Sequence, residues 1–292
     1  MMSLESLPLL SPFIEFGFMR RALAGCLALS LGAAPVGVFL MLRRMSLAGD
    51  AMAHAVLPGA AIGYLFAGLS LSAMTLGGLV AGLLVALMAG SVARHSVLKE
   101  DVSLAAFYLL SISSGVLLVS WRGSNVDLLH VLFGSVLALD DQALYLLASF
   151  ASVTLVCLAL FLRPLVLECC DPLFLRSAGR WSALTHHGFM ALVVINLVGG
   201  FHALGTLMAV GVMILPAAIS RMWVSSIGAM LVMASSVAFV LSVAGLLLSW
   251  QANLPAGPAI VLTLGLGYVL SLFIAPQGPL MTHLRPRWHF KR

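Results

Sequence analysis

The sequence predicts an all-α membrane protein, a polytopic bundle of eight or nine transmembrane helices. Of its 292 residues, 62% are hydrophobic and 9% are charged, whereas a soluble domain carries about 25% charged residues to keep its surface wet. Long apolar runs separated by short charged or turn segments are the second observation. The third is the absence of the two-residue alternation that a β-barrel requires. A bilayer core about 30 Å thick takes about 20 residues per helical span. The apolar residues therefore suffice for eight or nine spans and leave little for a globular domain outside the membrane. A soluble enzyme, a secreted disulfide scaffold and a nucleic-acid-binding domain are excluded by the same arithmetic.

Residues 7–18 are apolar but carry Pro8, Pro12 and Glu15, so they predict a segment lying at the membrane interface. Residues 1–19 lack the charged start and small-residue cleavage site of a signal peptide. Spans fall at about 22–42, 53–69, 73–93, 103–120, 142–162, 186–200, 203–219, 224–249 and 256–275, where apolar runs are bounded by charge or turn residues. The stretch 186–219 meets at Gly199, Gly200 and His202. It reads as two short spans or as one span with a re-entrant piece, which separates a nine-span chain from an eight-span one. Residues 124–141 mix polar and apolar side chains, hold Asp127, His130, Asp140 and Asp141, and predict an outer loop with a short helix. The whole of 1–292 forms one membrane domain, with 18–276 spanning, 163–180 a cytoplasmic loop and 277–292 a basic tail. Of the four cysteines, Cys26 and Cys157 sit inside apolar runs, and Cys169-Cys170 reads as an inert thiol pair.

Orientation follows from the basic residues. With Arg285, Arg287, Lys291 and Arg292 inside and nine spans, Arg43, Arg44, Arg94, Lys99, Arg163, Arg176, Arg180 and Arg221 also fall inside. Arg20, Arg21 and Arg122 fall outside, so twelve of the fifteen basic residues share one side. The bias of Lys and Arg towards cytoplasmic loops selects this orientation. The tail reads as side chains snorkelling to an anionic leaflet.

Asp50 and His54 are four residues apart and so share one face of a helix. Ionisable groups at membrane depth cost several kcal/mol and mark substrate paths or proton relays. A carboxylate with an imidazole suits a borderline divalent cation, although the spacing alone is also met by an N-cap and a satisfied histidine. The segment Arg163 to Arg180 is short and of mixed charge, with Pro164 and Pro172 breaking the flanking helices. Asp171 and Pro172 predict a helix start, Asp as N-cap and Pro in the first turn. That helix presents Leu173, Phe174 and Leu175 beside Arg176. His202 is a second candidate ligand, or a histidine at the membrane boundary. Asn196 reads as an interhelical hydrogen bond, His186-His187 as interfacial, and Gly78 with Gly82 as close helix packing. Asp127 and His130 would face an incoming partner.

The run Arg43 to Gly59 (RRMSLAGDAMAHAVLPG) resembles the signature of the integral-membrane permeases of metal-type ABC importers, which take up zinc, manganese or iron. Phe18 to Gly25 (FMRRALAG), Asp171 to Gly179 (DPLFLRSAG), Gly205 to Ala218 (GTLMAVGVMILPAA) and Pro255 to Val261 (PAGPAIV) are similar to further blocks of that family. The resemblance extends from about 18 to 276. It implies a permease of the type II importer architecture, acting as a homodimer with the pathway on its two-fold axis. Asp50 and His54 would then contact the metal, with His202 as an additional ligand. Asp171, Pro172, Leu173, Phe174, Arg176 and Gly179 would form the coupling helix that docks on the ATPase. Leu175 departs from the small residue usual at that position, which changes the fit to the partner.

The implied partners are a cytoplasmic ATPase subunit, an extracytoplasmic metal-binding protein, a second copy of the chain and the bilayer. No cofactor is held permanently, and the cargo is expected to be Zn²⁺, with Mn²⁺ or Fe²⁺ as alternatives. A stand-alone secondary transporter using Asp50 and His54 as a relay competes with this reading. An intramembrane enzyme fares worse, since no H-E-x-x-H is present. Lys99 and Lys291 are the chain's lysines and neither follows Gly, so there is no phosphate-binding P-loop. If transport is ATP-driven, hydrolysis must reside on another protein.

Overall fold

In a bilayer every backbone N–H and C=O must find its partner within the protein, which leaves helices as the simplest spanning solution. The computed structural model describes residues 11–68, 70–95, 100–121, 136, 139–171, 174 and 180–278, and no strand occurs among them. The helices are α1 (Ser11–Glu15), α2 (Gly17–Leu42), α3 (Ser46–Ala67), α4 (Leu71–His95), α5 (Glu100–Trp121), α6 (Asp141–Cys170), α7 (Arg180–Leu204), α8 (Thr206–Trp223), α9 (Ile227–Ala252) and α10 (Ala256–Ile274). Each expected span overlaps one of the nine long helices, α2 to α10. Seven of these are long and apolar enough to cross a membrane by composition alone. α3 is not one of the seven, because Asp50, His54 and Pro58 dilute it.

α2 and α7 form the centre: 72% of the apolar window of each is buried, against 22% for α6 and 28% for α9 and α10. α3, α4 and α5 pack together on one flank, α8, α9 and α10 on the other, and α6 lies along α2 and α7. The outward faces carry exposed Leu, Val and Phe side chains, among them Leu110, Leu160, Val232 and Phe273, as lipid contact requires.

Apolar burial drives little association where the solvent is itself hydrocarbon, so close backbone approach does the holding. A side chain at Gly37 would strike the backbone of Met213 on α8, and Gly59 and Gly63 admit the backbones of Gly77 and Ala73 on α4. Gly78 and Gly82 make room for Val56 and Val194, in line with the packing role expected for them. Asn196 on α7 donates to Thr154 Oγ1 on α6 at 2.8 Å and to the Leu192 carbonyl at 2.9 Å, the interhelical bond expected of it.

Several boundaries differ from the sequence expectation. α7 and α8 are two helices, and the break falls at Gly205, whose φ is 92°, rather than at Gly199–His202. Gly199 and Gly200 stay helical because they admit Phe150 and Ala209. α6 runs through Pro164 to Cys170, so the segment 163–180 is helical in its first part and leaves the helix at Asp171. One missing N–H within a long helix braced by its neighbours is not enough to end it. Residues 11–15 form α1, and Phe13 is buried against the bundle rather than lying free at the interface.

The turn from α2 to α3 is tight. Met45 N–H donates to the Leu40 carbonyl at 2.9 Å and Arg44 N–H to that of Met41 at 3.0 Å, the paired pattern of a Schellman C-cap. Arg44 occupies the left-handed position at φ 60°, where glycine is usual. The turn points Arg43 inward and starts α3 at once.

Replacing Gly37 by Val should force α2 from α8 and cost about 1–3 kcal/mol. A fall in the thermal unfolding temperature in detergent, larger than that of Gly228→Val at an open position, is the expected result.

Candidate functional site

α3 begins at Ser46, so at 1.5 Å per residue Asp50 lies about 6 Å and His54 about 12 Å along its axis. Both are near the end that carries Arg43 and Arg44. Gly49, Met52 and Ala53 are buried towards the bundle, which turns Asp50 and His54 to the open side. Their side chains are 63% and 38% exposed, with Oδ1 and Nε2 3.8 Å apart. That separation exceeds a hydrogen bond, so the two ligating atoms are side by side without being tied to each other. The His54 ring lies 6.3 Å from that of Tyr108 on α5.

Between α3 and α5 lies a cleft of about 210 Å³ lined by Leu47, Ala48, Asp50, Ala51, Asp101, Leu104, Ala105 and Tyr108. Asp101 thus faces the same space as Asp50, a carboxylate that no motif in the sequence singled out. Carboxylate, imidazole and phenol donors fit a hard to borderline divalent cation. Among the described residues no three His, Cys, Asp or Glu side chains converge as a closed metal cage. One chain offers a sparse and open set.

A second constellation was not expected. Arg43, just after α2, pairs with Glu168 on the last turn of α6, and the two side chains are 6% and 11% exposed. The guanidinium also lies over the Phe189 ring, 4.3 Å from its centroid. His186 on α7 sets Nδ1 3.3 Å from Glu168 Oε1 and Nε2 3.0 Å from Glu100 Oε1 at the start of α5. Both ring nitrogens therefore face carboxylate oxygens, an arrangement that suits a ring carrying a proton on each. Gly90 on α4 allows the approach, since a Cβ there would stand 3.1 Å from His186 Nε2. His186 is thus part of a buried charge cluster and not an interfacial residue, and Arg43 is not a solvated loop charge. The available signal was Glu168, an acidic residue following Leu165, Val166 and Leu167 in an apolar run, since such residues pair with something.

The other candidates are spread out. Asp171 is exposed and accepts the Phe174 N–H at 2.9 Å, so it caps as expected. Phe174 is 58% exposed. Pro172, Leu173, Arg176 and Gly179 lie outside the described residues, as do Asp127, His130 and the tail from 279. His202 belongs to the last turn of α7, about 24 Å along that helix from His186, and its side chain is outside the described residues. All four cysteines are free thiols.

The model of the ABC 3 transport family matches residues 15–275. The manganese import system permease protein ScaB of Streptococcus parasanguinis is 33% identical over 263 residues, 90% of this chain and 92% of that protein. The chelated iron transport system membrane protein YfeD of Yersinia pestis is 29% identical over 278 residues, 95% of this chain and 90% of its own. Among solved structures, PsaBC from Streptococcus pneumoniae in complex with Fab superposes with a TM-score of 0.81 at 30% identity, covering 95% of this chain and 99% of that one.

Removing one member of a buried ion cluster strands its partner's charge. Glu168→Ala should therefore cost about 3–5 kcal/mol, against little for Asp171→Ala in the exposed cap. Thermal unfolding of the two purified variants in detergent checks the contrast.

Proposed function

The chain belongs to the ABC 3 transport family, the permeases of metal-type ABC importers, and on that premise we propose that Asp50 and His54 form the passage site for a divalent first-row cation, with Mn²⁺ as the preferred cargo. It is a multi-pass protein of the bacterial plasma membrane, and membership of this family favours an importer permease over the stand-alone carrier and the intramembrane enzyme. The observation that carries the site is the pair itself. Two side chains able to ligate stand on one face of α3, their nearest atoms 3.8 Å apart, and Asp50 lines a cleft that holds a second carboxylate, Asp101.

Mn²⁺ is preferred to Zn²⁺ for two reasons. The relatives' names specify manganese or iron. The donors lining the cleft are carboxylates and a phenol without thiolate, with the His54 imidazole beside Asp50, a set that suits Mn²⁺ at least as well as Zn²⁺. The sparse shell favours release over storage. A second copy of the chain, facing the first across the open side of α3, would add a second pair and complete the coordination.

The basic end of the bundle is cytoplasmic on the positive-inside bias. This puts Asp50 and His54 in the inner half of the route and the capped segment at Asp171 on the side where ATP is available. That segment, with Pro172, Leu173, Phe174, Arg176 and Gly179, is the docking site for the ATPase subunit. An extracytoplasmic metal-binding protein delivers the cation at the opposite face. His202, in the last turn of α7, belongs to that end of the bundle, where metal is received.

In vesicles holding the permease with its ATPase, Asp50→Ala and His54→Ala should each reduce uptake of radioactive manganese to background while the subunits still co-purify. Undiminished uptake by both variants would sink the assignment. ATP hydrolysis by the wild-type complex should be stimulated more by Mn²⁺ than by Zn²⁺ or Fe²⁺, and the reverse order would return the cargo to zinc or iron. Phe174→Glu should detach the ATPase in detergent, and normal co-purification would place docking elsewhere.

A further inference from the structure

We infer that the buried cluster of Arg43, Glu100, Glu168 and His186 is the relay that couples the ATPase-docking end of α6 to the metal cleft between α3 and α5. The inference rests on the importer reading above and names the residues that carry its coupling.

Charges buried in an apolar bundle are weak evidence for stability, because well-packed apolar residues of similar volume often do as well or better. Their best-attested use is to hold one register or to switch between two. The arrangement here has the form of a switch linkage. Glu168 is its hub, meeting Arg43 with one carboxylate oxygen and His186 with the other. It stands three residues before Asp171, whose carboxylate caps the start of the docking segment. A push on that segment therefore reaches Glu168 through one turn of continuous helix and its cap.

From the hub two arms lead to the two walls of the cleft. The first is Arg43, which precedes the tight Schellman turn into α3, the helix that carries Asp50 and His54. The second runs through His186 to Glu100. The next residue, Asp101, lines the cleft opposite Asp50. One carboxylate is thus tied to both α3 and α5 through ion pairs in a low-dielectric interior, where opposite charges attract strongly. Phe189 beneath the guanidinium and Gly90 behind the imidazole hold each arm in place. Coupling between distant sites is carried by contiguous networks of this kind when rigid elements have two arrangements. Displacing the end of α6 shifts α3 and α5 together, and so alters the spacing of the groups that hold the metal.

The test uses the permease–ATPase complex in proteoliposomes, measuring manganese uptake and ATP hydrolysis in the same preparation. Glu168→Gln keeps the shape and removes the charge. It should retain the ATPase but lower uptake per ATP about tenfold, in the range of coupling energies between sites. Because this variant leaves Arg43 without its counter-charge, a second one is needed that restores packing. Arg43→Met, Glu100→Leu, Glu168→Leu and His186→Leu combined should unfold at or above the wild-type temperature, yet show the same loss of uptake per ATP. A combined variant that transports like the wild type would overturn the relay and leave the cluster a structural device. Loss of the ATPase from Glu168→Gln would overturn it too, by making Glu168 a docking residue. A wild-type complex whose hydrolysis none of Mn²⁺, Zn²⁺ and Fe²⁺ stimulates would instead remove the importer reading and the relay with it.

Discussion

Two acidic and two basic side chains, supplied by four helices, meet inside the protein at the basic end of the bundle, where little water reaches them. Each is tolerable because the others are present. Arg43 brings the end of α2, Glu100 the start of α5, Glu168 the end of α6 and His186 the first turns of α7. Satisfying them together sets the relative height of these helices in the membrane. A one-turn slip of any of them would leave a buried charge facing hydrocarbon. The turn into α3, the placement of Asp101 in the cleft and the exit of the chain at Asp171 all follow from that alignment.

The rest of the bundle is held differently. Where lipid is as apolar as leucine, burying leucine gains little, and helices cohere through fit. Gly59 and Gly63 let α3 lie against α4 at backbone distance, and Gly37 does the same for α2 and α8. Asn196 and Thr154 add one polar tie between α6 and α7. These contacts make tight flanking groups around α2 and α7. The α3–α4–α5 group presents the open side with Asp50 and His54, joined to the centre at one end by the charge cluster. Rigid groups joined by a few specific polar contacts are the form in which a transporter can alternate its access without unfolding.

Much of this was legible from residues taken one at a time. The near absence of charge named the solvent, and the apolar runs located the nine long helices, because both depend on composition averaged over a span. Asp50 and His54 could be paired from spacing, since i and i+4 share a helix face whatever surrounds them. Asp171 could be read as a cap because capping is local chemistry. The break between α7 and α8 was misplaced because Gly199, Gly200 and Gly205 look alike in the chain. Gly205 has the positive φ that turns it, while the other two answer to neighbours.

The sequence by itself determined the solvent and the helical class, and it placed Asp50 and His54 on one helix face and twelve of fifteen basic residues at one end of the expected spans. These are properties of local periodicity and of totals. The tertiary structure alone decided that Arg43, Glu100, Glu168 and His186 form one cluster, and that Asp101 shares a cleft with Asp50. Arg43 and Glu168 are 125 positions apart in the chain, and no periodicity links them. What joins them is the cost of leaving either charge unpaired in a bilayer, and the packing of the four helices decides which partner each one finds.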